Sequence, residues 1–70
     1  MPGIAFKLTT EYIELYKLLK LTGLTENGGA AKFAISEGRV LVNGAPETRK
    51  AFKVRSGHSI KFESQEITVK

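Results

Sequence analysis

From Leu15 the apolar residues recur at Leu15, Leu18 and Leu19, with Thr22 one turn on. This is the i, i+3, i+4, i+7 stripe of a short amphipathic helix, and Gly23 ends it. Lys17 and Lys20 fall on the opposite, wet side, while the β-prone Tyr12 and Ile13, with Glu14, read as extended chain before the helix. A second helix is expected to start at Asn27, whose side-chain oxygen can accept from the unsatisfied N–H groups of a first turn, and to run through Glu37 to Gly38. One of its faces carries Ala31, Ala34 and Ile35, and the two small residues allow close approach to the first helix across a turn at 23–26. Lys32 and Ser36 point elsewhere.

After Gly38 the period shortens to that of strands. Val40, Leu41 and Val42 lead into Asn43-Gly44, a pair favoured in two-residue hairpins, and Pro46 limits how far the returning strand can pair. Ile60 alternates with Phe62 and Ile67 with Val69, with a turn expected at 63–66. Residues 1–11 show little periodicity and contain Pro2 and Gly3, so they are read as a loosely ordered arm preceding one domain at 12–70. The fold class is α+β: two short packed helices beside a small, mostly antiparallel sheet.

Charge changes the picture. Residues 1–38 carry four Lys against four Glu and cancel, whereas residues 39–61 carry six Lys or Arg against the single Glu47. The tail from Phe62 returns about one negative charge, so the net +4 is a local field near +5 over the middle third. Such an asymmetry speaks about partners and association rather than fold. Four cations stand within the seven residues from Arg49, directly after the hairpin. A polyanion, nucleic acid first, is the partner that this segment implies.

Length and missing residue types bound the chemistry. The 70 residues make one domain with no room for a separate catalytic unit, because a chain this small buries only about 60% of the surface its unfolded form exposes. Without Cys there is neither a disulfide framework nor a thiolate metal site, which suits a reducing cytoplasm. The longest apolar runs, at 4–6, 33–35 and 40–42, are three residues, far short of a signal-peptide core or a membrane span. His58 is the only His and there is no Asp, so neither a multi-ligand His/Cys cluster nor a Ser/His/Asp triad can be assembled. The seven Glu show no paired spacing suited to acid–base work. The expectation is a cytoplasmic, monomeric non-enzyme with no cofactor, metal, membrane or small-molecule substrate.

The candidate site joins the second helix's start to the basic segment. Asn27-Gly28-Gly29 places two residues without side chains where backbone N–H groups are free and the helix dipole is positive, and Lys32 lies one turn on. The plainer reading is that the glycines relieve crowding at a tight interhelix turn. Arg49 and Arg55 can fork two hydrogen bonds onto phosphate oxygens, and Lys50 and Lys53 add mobile point charges, in a segment poor in acids. The plainer reading there is a solvated charge cluster. Phe33 lies away from Ala31 and Ile35; it either stacks on an unpaired base or, more simply, covers a second patch of core against the N-terminal arm. Phe6, Phe52, Tyr12 and Tyr16 are expected to be packing residues, and His58 a turn residue.

The ordered motifs are Leu15-Tyr16-Lys17-Leu18-Leu19-Lys20, Gly23-Leu24, Asn27-Gly28-Gly29-Ala30-Ala31-Lys32, Glu37-Gly38-Arg39-Val40-Leu41-Val42-Asn43-Gly44, Glu47-Thr48-Arg49-Lys50 and Lys53-Val54-Arg55-Ser56-Gly57-His58-Ser59-Ile60. Over about residues 12–69 this order resembles the RNA-binding domain named after small-subunit ribosomal protein S-four, also called the alpha-L motif, and its short stand-alone bacterial members above all. The resemblance implies a helix pair beside a small sheet, with RNA held along the second helix and the loop after the hairpin. By position it implies contacts from Lys17, Asn27, Gly28, Gly29, Lys32, Asn43, Gly44, Arg49, Lys50 and Lys53; the charge argument adds Arg55. Two positions depart from the pattern: Glu14 stands where many members have Arg, which weighs against a contact at the first helix's start, and His58 stands where many have Asp, which alters only a turn. The family also occurs as an appendage on pseudouridine synthases and tyrosyl-tRNA synthetases, whose activities do not carry over to a chain that is the appendage alone. The expected function is a clamp for structured ribosomal or transfer RNA; the competing one is an adaptor whose basic face docks an acidic protein.

Overall fold

A computed structural model describes residues 3–70. The element order is β1 (Gly3–Phe6), β2 (Ile13–Glu14), α1 (Leu15–Leu21), α2 (Gly28–Ser36), β3 (Val40–Val42), β4 (Ala45–Pro46), β5 (Lys53–Val54), β6 (Ser59–Phe62) and β7 (Gln65–Val69). A five-stranded sheet runs β1-β7-β6-β3-β4, and β2 pairs with β5 in a second, two-stranded ribbon. All pairs are antiparallel except β1 with β7.

Both helices stop for the same local reason. Thr22 and Glu37 end α1 and α2, and the next residues, Gly23 and Gly38, have φ of 80° and 75°, a left-handed conformation that favours glycine. Gly23 then donates to the Lys20 carbonyl and Leu24 to that of Leu19, while Gly38 donates to Ile35 and Arg39 to Ala34. These paired closures satisfy carbonyls that the helices would otherwise leave open. At the start of α2 the Asn27 side chain accepts from the Ala30 N–H at 2.8 Å. Asn27→Ala is therefore expected to cost about 1 kcal/mol of stability, measured by urea unfolding.

The helices lay Leu15, Leu18, Leu19, Ala31, Ala34 and Ile35 against Val40, Val42, Ile60, Phe62, Ile67 and Val69, with Val54 joining from the ribbon. Period-two alternation puts every one of those sheet residues on the same side.

Three expectations need correction. The segment read as a loose arm contains β1, in register with β7 from Gly3↔Glu66 to Phe6↔Val69, and Leu8 adds a hydrogen bond to the Lys70 carbonyl. Ile4, Phe6 and Leu8 alternate and pack on the core, a short period-two signal that Pro2 and Gly3 obscured; Met1 and Pro2 themselves lie outside the described residues. The turn expected at 63–66 is tighter, because Glu63 takes φ of 58° and Gln65 and Glu66 already belong to β7. Phe33 covers no second patch of core; it is 59% exposed.

Candidate nucleic-acid interface

The basic segment is fastened to the start of α1 by backbone groups. Glu14 precedes the helix without a side-chain cap, so the first-turn N–H groups of Leu15 and Tyr16 donate instead to the carbonyls of Phe52 at 2.9 Å and Lys50 at 3.2 Å. The ribbon continues the attachment through Ile13↔Val54 and Glu14↔Lys53. Carbonyl oxygens suit the positive end of a helix dipole, and the Lys50 side chain stays exposed while that of Phe52 packs against the core. Residues far apart in sequence are thus brought near one another: Lys53 and Arg55 lie at the Tyr12 ring, and Tyr12 and Lys17 line one hollow.

Aromatic rings underlie most of these cations. The Lys32 ammonium lies 4.7 Å from the Tyr16 ring centroid and that of Lys17 6.0 Å from it, which joins α2 to α1. Lys53 and Arg55 lie 5.0 and 5.9 Å from the Tyr12 centroid. Arg49 lies 5.1 Å from that of Phe52, and the Phe52 and His58 centroids are 5.7 Å apart. A ring holds a cation by its quadrupole while leaving the outer N–H groups free for an anion. Tyr16 and Phe52 are packing residues as expected, whereas Tyr12 is 37% exposed. Their second role as cation supports was the functional feature that sequence alone did not reveal, since no periodic pattern links residue 16 to 32 or 12 to 55.

The segment is less free of acids than its composition suggests. Glu47 accepts from the Arg49 side chain at 2.8 and 3.2 Å and from its backbone N–H at 3.0 Å. The Arg49 hydrogen bond holds the Glu47 carboxyl below the usual carboxylate range and raises the guanidinium in turn. Lys17 pairs with Glu14 at 3.2 Å, and that hydrogen bond raises the Lys17 ammonium. Lys32, Lys50, Lys53 and Arg55 form no ion pair among the described residues. Glu14 thus restrains the neighbouring Lys17.

Gly28 and Gly29 open α2 without crowding. A Cβ at Gly28 would meet Tyr16 ring carbons at 3.8 and 3.9 Å, and one at Gly29 only the Asn27 Oδ1 at 3.4 Å, which are ordinary contacts. A side chain at either position would thus meet no severe clash, and both glycines sit in the first turn of α2. Asn43 and Gly44, with φ of 51° and 87°, form the hairpin turn. The Asn43 carbonyl side chain is engaged by the Ser59 N–H at 2.9 Å, so this residue fastens β3 to β6. His58 serves its turn by accepting the Arg55 N–H at 2.9 Å. Among the described residues there is no group of three or more His, Cys, Asp or Glu able to hold a metal ion, and no helix is long and apolar enough to cross a membrane.

The family model for the S4 domain matches residues 6–70. YbcJ of Escherichia coli (strain K12), named as a candidate RNA-binding protein, is 47% identical over 58 residues, which span 83% of each chain. A probable ribosome maturation protein, RlbA of Bacillus subtilis (strain 168), is 39% identical over 56 residues, 80% of this chain and 79% of that one. The solution structure of Escherichia coli YbcJ, described as revealing an alpha-L motif involved in RNA binding, superposes with a TM-score of 0.72 at 44% identity, covering 93% of this chain and 84% of that one. The helix pair closed by Gly23 and Gly38, the Asn43-Gly44 hairpin and the sheet behind them are an alpha-L motif, and the chain belongs to the S4-domain family.

Proposed function

We propose that this protein is a cytoplasmic, monomeric, non-enzymatic module that clamps structured RNA, ribosomal or transfer RNA, through phosphate contacts along α2 and the basic segment. The observation that supports this reading is the fastening of residues 50–52 to the first turn of α1, together with the placement of Lys17 and Lys32 at the Tyr16 ring and of Lys53 and Arg55 at the Tyr12 ring. The RNA-binding description of YbcJ supports the ligand class, and the naming of RlbA for ribosome maturation supports an RNA of ribosomal origin. Phosphate contacts position a protein on RNA without reading bases. In this reading Gly28 and Gly29, free of side chains in the first turn of α2, leave backbone N–H groups open to a phosphate.

The test is a salt titration of binding to a fragment of ribosomal RNA. With about four to six phosphates neutralised, log K is expected to fall against log salt with a slope near −3 to −5. A flat titration overturns the clamp. Pull-down after nuclease treatment separates the adaptor reading, because an association carried by RNA disappears and a protein contact survives.

A further inference from the structure

We infer that the hollow between α1 and the start of α2 takes an unpaired nucleotide, so that the preferred RNA carries a bulged or looped-out base beside its paired stem. This rests on the RNA-binding reading and adds to it which RNA is chosen.

The hollow is lined by Tyr16, Lys17, Lys20, Leu21 and Gly28. Leu15, Leu18 and Leu19 of the same helix are fully buried, yet Leu21 is 64% exposed and lines this space. Tyr16 supplies the other apolar wall and is anchored on the core. Gly28 keeps the wall between them open, since a side chain there would begin 3.8 Å from the Tyr16 ring. Exposed Lys17 and Lys20 stand on the lining, and Lys32 lies over the Tyr16 ring at 4.7 Å.

An apolar wall edged by the ammonium groups of Lys20 and Lys32, with Lys17 beside them held by Glu14, matches a nucleotide, whose base offers an apolar face and whose phosphate carries the charge. A continuous duplex keeps its bases stacked and shows the protein phosphates, hydroxyls and groove edges. It would use the lysines and leave Leu21 in water. Phe33 is comparably exposed at 59% but does not line the hollow, which makes it an internal comparison.

The experiment measures fluorescence anisotropy of the full chain with two RNAs, an uninterrupted duplex and the same duplex carrying one bulged uridine. The bulged RNA is expected to bind roughly fivefold to a hundredfold more tightly, the scale of one base stacked on protein. Leu21→Ala should reduce affinity for the bulged RNA about threefold or more and leave the duplex unchanged. Leu21→Met should restore the preference, and Phe33→Ala should alter neither RNA. Equal wild-type affinities, equal losses on both RNAs with Leu21→Ala, or loss of the preference with Phe33→Ala would each overturn the assignment while leaving the phosphate clamp standing. Binding to neither RNA would remove the RNA-binding reading itself, and this inference with it.

Discussion

Leu18→Ala is expected to destabilise the protein by about 2–5 kcal/mol, the range for removing a buried leucine and leaving a cavity. Leu18 is fully buried in the core cluster that also takes in residues of α2 and the sheet. A chain of 70 residues has a total stability of only roughly 4–10 kcal/mol at the usual per-residue scale, so the substitution should leave a large unfolded fraction or lower the thermal midpoint by well over 10 °C. Leu21→Ala, three residues along the same helix, should cost less than about 0.5 kcal/mol because its side chain is already in water. Urea unfolding of the two variants side by side checks the inward face of α1. Similar losses would mean that the stripe has been placed on the wrong side.

Much of this architecture was legible because the signals were local. Gly23 and Gly38 mark helix ends through their own backbone angles, Asn27 caps through its own side chain, and Asn43-Gly44 turns the chain within two residues. What escaped depends on partners distant in sequence. The strand β1 gains its hydrogen bonds from β7 at the opposite end of the chain, and β5 exists only as the neighbour of β2. Two-residue strands carry no period that could announce them. Phe33 was misplaced because a small core is expected to claim every large apolar residue, and here the helix turns this one outward.

The candidate site divides in the same way. Charge along the chain marked Arg49, Lys50, Lys53 and Arg55 as a group, and spacing placed Lys32 one turn from Gly28. Pairing could not be read from composition: Glu47 is two residues from Arg49 and holds it in a fork, while Glu14 holds Lys17. Nor could the supports be read, since Tyr16 meets Lys32 only through helix packing. Among the described residues, Lys32, Lys50, Lys53 and Arg55 of the candidate site form no ion pair, so a phosphate could bind them without displacing an acid.

Changing Arg49 and Lys50 together to Ala is expected to lower RNA affinity about tenfold or more, for many RNA sequences alike, and to reduce the salt slope by about one per lost phosphate contact. The Arg49 side chain is 73% exposed, and Lys50 contributes its backbone carbonyl to α1, which alanine retains. The fold should therefore persist, with the thermal midpoint moving by only about 3 °C. Removing Arg49 also leaves Glu47 unpaired beside the site, and its carboxylate would repel phosphate, adding to the loss in the same direction. Lys61 and Lys70 form the control, since changing both removes the same formal charge from elsewhere on the surface. Lys61 lies in β6 opposite Glu66, and Lys70 follows β7 at the paired end of β1. That double variant should lose no more than about threefold, the effect of general charge at moderate salt. If it loses as much affinity and as much slope as the Arg49 and Lys50 variant, net charge alone attracts the RNA, and the basic segment fastened to α1 is not its binding site.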